Sequence, residues 1–231
     1  MKDSAELERR LGYEFKDKEL LKTALTHSSY ASEHKLTYES NNERLEFIGD
    51  AYVDAVVGTR LFEIMDKAHE GNLSKHRAEV VCEASLADAA ESISLGDYLF
   101  LGRGEDACGG RNKPSILSDA FEALLGAIFL DGGYEAVKEA SLMLLEDKIE
   151  LAASGNLSRD FKSKLQEKIQ EKDTNAGIEY KTVNEAGPDH DKTFTVEVSL
   201  NGRMLGKGTG SSKARAEQKA AEDALNKGLF K

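Results

Sequence analysis

A chain of 231 residues, with 40% hydrophobic and 32% charged side chains and 2 Pro, is long enough for two ordinary domains and is neither disordered nor collagenous. Met1 to Arg10 carries no apolar run and the longest apolar stretch, Ala123 to Leu130, is far short of a membrane span, so neither a secretory signal nor a transmembrane helix is expected. The net charge of −11 is uneven: residues 158–231 hold 14 Lys and Arg against 12 Asp and Glu, net +2, whereas the rest hold 17 against 30, net −13. Two parts with different work are expected. Cys82 and Cys108 cannot build a disulfide framework, which points to a reducing cytoplasm.

The first part reads as helical throughout. Leu20, Leu21, Ala24 and Leu25 mark one helix face between Asp17 and Ser28. Ser40 followed by Glu43 has the spacing of a capping box and predicts a helix running to about Met65. A further helix is expected from near Asn72 through Ala90, then a glycine-rich loop from Gly102 to Gly110. Pro114 opens a strongly apolar helix that should stop at Asp131-Gly132-Gly133, and a last helix should run from Tyr134 to about Leu151.

Residues 152–158 are small and polar and read as a linker between a domain at 1–151 and another at 159–231. Beyond it the period changes. A helix is expected from Asp160 to Lys172, then strands at Ile178 to Val183, Phe194 to Leu200 and Arg203 to Lys207. Phe194, Val196, Val198 and Leu200 alternate with polar residues, and Asn201-Gly202 is a hairpin turn signal. An alanine-rich helix from Ser211 to Leu229 closes the order α-β-β-β-α. The fold class expected is an all-α domain followed by a small α+β domain.

Two groups of acids stand out. Glu43, Glu46, Asp50 and Asp54 recur at i, i+3, i+7 and i+11, one stripe of one helix, with Leu45, Ile48, Tyr52 and Val56 on the other side. Asp119 and Glu122 lie i, i+3 apart among apolar residues, where an isolated carboxylate must be protonated, paired or bound to a cation. The stripe alone could be a solvated face, and the pair could meet Lys or Arg. Both clusters together point to an oxygen-only site for a hard cation such as Mg²⁺. None of the five His follows a Glu by three residues, which sets aside a di-iron bundle.

Asn42-Glu-Arg-Leu-Glu-Phe-Ile-Gly-Asp50 resembles the signature of the ribonuclease III family. Leu25-Thr-His-Ser-Ser-Tyr30, Glu70-Gly-Asn-Leu-Ser74 and Asp119-Ala-Phe-Glu122 follow the family's order around it. The resemblance implies a double-stranded-RNA endonuclease using Mg²⁺, with Mn²⁺ as a substitute, whose products carry 5′ phosphate and 3′ hydroxyl ends, acting in rRNA and mRNA processing and decay. It implies metal ligands at Glu46, Asp50, Asp119 and Glu122, with Asp50 and Glu122 indispensable and Glu43 and Glu70 in supporting acidic roles. It also implies a homodimer in which Phe47, otherwise readable as a core aromatic, enters the second subunit.

The second part resembles the double-stranded-RNA-binding domain, which reads A-form shape rather than sequence. That resemblance assigns RNA contacts to Gln166 and Gln170 on the first helix, to Gly187, Pro188 and His190 between strands, and to Lys213 and Arg215 on the last helix. Ala214 stands where the family usually has a second lysine. A non-cleaving RNA-binding protein is the rival reading, against which all four expected ligands are present.

Overall fold

The computed structural model describes residues 4–155, 157, 161–170, 177–187, 192–210 and 212–227. They fall into two compact units, residues 1–157 and residues 158–231. In the first, the helices described are α1 (Ser4–Leu11), α2 (Lys18–Ala24), α3 (Ser28–Glu33), α4 (Glu43–Ile64), α5 (Glu70–Val80), α6 (Glu83–Ser92), α7 (Arg103–Ala107) and α8 (Pro114–Ala153). In the second, α9 (Phe161–Gln170) precedes β1 (Ile178–Ala186), β2 (Thr193–Leu200) and β3 (Arg203–Gly210), and α10 (Lys213–Asn226) follows.

The first core is built around α8, whose Leu117, Phe121, Leu124, Leu125 and Ile128 are fully buried. Leu45, Val53, Val57 and Leu61 on α4 and Leu86, Ala87 and Ala90 on α6 complete it. Asp17 caps α2 by accepting from the Glu19 N–H at 2.9 Å, so the helix expected there begins as its sequence indicates but ends at Ala24. The stop expected at Asp131-Gly132-Gly133 is present: Gly133, at φ 81° and ψ −172°, leaves the helical region, and a second helical arm follows at 134–153. The Asp131 carboxylate holds this corner by accepting from Tyr13 Oη at 2.7 Å and from the N–H groups of Lys16 and Asp17, each at 2.9 Å.

Further expectations change. The capping box does not form: Ser40 lies in a 3₁₀ turn with its hydroxyl 3.0 Å from Thr37, and Asn41 Oδ1 accepts the Glu43 N–H instead. The long helix expected through Ala90 is broken at Val81 and Cys82, where Cys82 is extended and starts α6. The glycine-rich segment contains α7 and a 3₁₀ turn, organised by Arg111, which donates to the carbonyls of Gly96 and Leu99 and pairs with Asp106. The first two residues of the polar stretch at 152–158 continue α8, and Leu157 packs against the first core.

The second unit is an antiparallel sheet of order β1-β2-β3 with α9 and α10 packed on it. Asn201 and Gly202 both take positive φ, 50° and 82°, as a type I′ hairpin requires. Gly206 and Gly208 of β3 face α10 so closely that a Cβ on either would overlap its backbone near Ala220. Ala216, Ala220, Ala221 and Ala224 are all buried, so a small-residue helix lies on a small-residue strand. The α10 helix begins at Lys213, two residues later than expected, and β1 and β3 each run three residues further. Among the described residues no helix is long and apolar enough to cross a membrane.

Candidate functional site

The acids are brought together where α4 crosses α8. A Cβ on Gly49 would overlap the carbonyl oxygen of Glu122, and a Cβ on Gly126 would overlap that of Leu45. Glycine at both positions therefore allows the two helix backbones to touch. Glu46 and Asp50 flank Gly49 on α4, while Glu122 and Asp119 sit one and two turns before Gly126 on α8. One carboxylate oxygen from each of Glu46, Asp119 and Glu122 lies within 4.8 Å of the others.

All three are half-buried, and among the described residues none forms an ion pair with Lys or Arg. Among the described residues the salt-bridge alternative for Asp119 and Glu122 finds no basic partner. Burial first, and then the charges of Asp50, Glu46 and Asp119, push the Glu122 carboxyl up to about 8. Burial likewise raises Glu46, with Asp119, Glu43 and Asp50 adding to it. Asp119 is raised by burial, opposed by a hydrogen bond from Ser118, and it feels Glu83 and His27 in opposite senses. A hard divalent cation would relieve this crowding, because carboxylate oxygens are its preferred ligands.

Asp50 is exposed and lies outside the tight group of three, yet after burial it is the largest influence on Glu122. Asp54, at the end of the acidic stripe, instead meets Arg77 at 3.7 Å. Glu43 is exposed on the rim of a groove, and Glu70 is exposed at the start of α5 with its Oε1 accepting from Ser74 Oγ at 2.8 Å. The structure brings neither into the group of three. Glu83 and His27 were not singled out from sequence, since only the fold carries them near Asp119.

Phe47 is 80% exposed, so it is not a core aromatic. It borders a groove of about 770 Å³ lined by Leu20, Tyr38, Leu45, Ile48 and Leu130. In the second unit Gln166, Gln170, Gly187, Lys213 and Ala214 are exposed. Pro188 and His190 lie outside the described residues, as does the Arg215 side chain.

Known proteins resemble this chain in both of its units. A family model described as ribonuclease-III-like matches residues 17–148, and one for the double-stranded RNA binding motif matches residues 161–227. A ribonuclease 3 of Caldanaerobacter subterraneus subsp. tengcongensis is 48% identical over 226 residues, covering 97% of this chain and 98% of its own. The crystal structure of the nuclease domain of ribonuclease III from Campylobacter jejuni superposes with a TM-score of 0.59 at 50% identity, covering 64% of this chain and 96% of that one. A second structure of that domain, with a TM-score of 0.59 at 49% identity and covering 63% of this chain and 98% of that one, is described by its flexibility in a region involved in dimer formation. The chain belongs to the ribonuclease III family, the divalent-metal-dependent endoribonucleases of double-stranded RNA.

Proposed function

We propose that the chain acts as a homodimeric, magnesium-dependent endonuclease that hydrolyses both strands of duplex RNA to 5′-phosphate and 3′-hydroxyl ends, in the processing and decay of rRNA and mRNA precursors. The observation that carries this is the meeting of the Glu46, Asp119 and Glu122 oxygens within 4.8 Å, in a half-buried place that offers them no basic partner among the described residues. An all-carboxylate donor set suits Mg²⁺, and Mn²⁺ can replace it. When bound, the metal supplies a water that is nucleophilic near neutral pH and stabilises the leaving oxygen.

In this reading Glu46, Asp119 and Glu122 hold the cation, and Asp50 completes the charge around it from the exposed side. Asp50 and Glu122 are the indispensable pair. Glu43 and Glu70 orient substrate or a further cation from the rim. The acidic domain cannot draw in phosphate, so the second domain (159–231) does so through Gln166, Gln170, Gly187, Pro188, His190, Lys213 and Arg215. The first domain is assigned to 1–151 and the connector to 152–158.

The dimer reading rests on Phe47. A large aromatic left in solvent beside an apolar groove suits a two-fold contact in which each subunit offers the same knob and the same groove. Two acid sites related by that axis would address the two strands. The exposed, unpaired Cys82 and Cys108 fit a reducing cytoplasm.

Incubating the protein with long double-stranded RNA, with and without Mg²⁺, tests the proposal, and Glu122→Gln sharpens it. The variant should lose cleavage while binding duplex in Ca²⁺ almost as well as the parent, because a neutral amide is a poor partner for the metal. Ordinary cleavage by Glu122→Gln in Mg²⁺ would remove the main support for the site.

A further inference from the structure

Lys213 is already occupied. Its Nζ stands 2.9 Å from Oε1 of Glu185 and 5.6 Å from the centre of the Phe194 ring. Both partners are delivered by the sheet: Glu185 lies opposite Phe194 in the β1–β2 register, and Phe194 pairs with Gly210, just ahead of α10. Lys213 is also the first residue of α10, where the helix dipole disfavours a cation and favours an anion. Glu185 therefore stands where an incoming anion would stand. Other ion pairs among the described residues of this unit have different settings: Lys162 with Glu217 ties α9 to α10, Lys207 with Glu197 joins neighbouring strands, and Lys227 with Asp223 spans the last turn of α10.

We propose that Glu185 is an internal competitor for the phosphate that Lys213 would contact, so that duplex RNA must displace its carboxylate in order to bind. The inference rests on the reading of Lys213 as a phosphate contact. A carboxylate and a phosphate brought to one ammonium group repel each other at close range, so the two occupants exclude one another. The pair is exposed, at 59% for Lys213 and 45% for Glu185, so displacement is modest in cost and reversible. The consequence is selectivity: an anion that touches Lys213 alone gains little, whereas a duplex engaging several parts of the domain offsets the displacement.

Four full-length proteins decide the matter: the parent, Glu185→Gln, Lys213→Ala and the double variant, titrated with duplex RNA in Ca²⁺ by gel shift. Glu185→Gln should bind about two- to five-fold more tightly, the range over which exposed ion pairs act. Lys213→Ala should bind more weakly, and Glu185→Gln should add nothing in its background. Affinity of Glu185→Gln at or below that of the parent overturns the competition, as does an equal gain in the Lys213→Ala background, which would mark a general loss of negative charge. Lys213→Ala binding like the parent would overturn the phosphate reading itself and the competition with it. A weakened Lys213→Ala beside a neutral Glu185→Gln would overturn the competition alone.

Discussion

Gly49 of α4 and Glu122 of α8 meet backbone to backbone: a Cβ on the glycine would overlap the carbonyl oxygen of the glutamate. The contact lies between Glu46 and Asp50 on one helix and at Glu122 on the other, so the spacing of the carboxylates depends on it. Gly49→Ala must push the helices apart, and overpacking of this kind costs about 1–3 kcal/mol. That exceeds the gain of about 0.5–1 kcal/mol from alanine's better helix propensity. Gly58 on the same helix is the control, since its Cβ would meet only Arg77 Cδ at an ordinary 3.5 Å. Thermal melts should show Gly49→Ala destabilised and Gly58→Ala neutral or slightly stabilised, with cleavage impaired only in the first. Equal stability of the two variants would contradict the close crossing.

Glu122 makes the metal-free protein sensitive to pH. Its carboxyl is pushed from the ordinary 4.5 up to about 8. A folded-state value above the unfolded one means that the contribution to stability is full below 4.5 and is lost as pH rises toward 8. Melting temperature without metal should therefore fall across that window more in the parent than in Glu122→Gln. Added Mg²⁺ should raise it more at pH 8 than at pH 6, because the cation and the proton compete for the same oxygens. Parallel melting curves for parent and variant over this range would show that Glu122 carries no such shift.

Phe47 separates stability from association. Truncating a buried Phe costs about 3–5 kcal/mol. At 80% exposure, Phe47→Ala should change the stability of a subunit by no more than about 0.5 kcal/mol. Sedimentation should nevertheless shift toward monomer if the side chain enters a partner's groove. An unchanged dimer would defeat the knob assignment.

A fragment ending at residue 157 should fold, since Leu157 packs on the first core and the compact unit closes there. Lacking the basic part, it should cut duplex RNA weakly and chiefly at low salt, because phosphate attraction is driven by counterion release. Circular dichroism and cleavage across a salt series would check both points. A fragment that cuts as well as the full chain at physiological salt would remove the RNA-recruiting role from the second unit.

Some features of this protein are settled over a few neighbouring residues. The Asn201-Gly202 turn, the alternation of β2 and the i, i+3 spacing of Asp119 and Glu122 are local, and each has the form its residue types dictate. Local signals mislead when competing residues are available nearby. Ser40 and Glu43 have capping-box spacing, but Asn41 reaches the Glu43 N–H first. The acid site belongs to neither class. Spacing put Glu46 and Asp119 on helix faces, but only the crossing of α4 and α8 at two glycines decided that those faces share one half-buried volume. Phe47 shows the same limit from the other side. Periodicity counts an apolar side chain toward a core, whereas exposure depends on which helices, distant in the chain, come to cover that face, and among the described residues none covers this one.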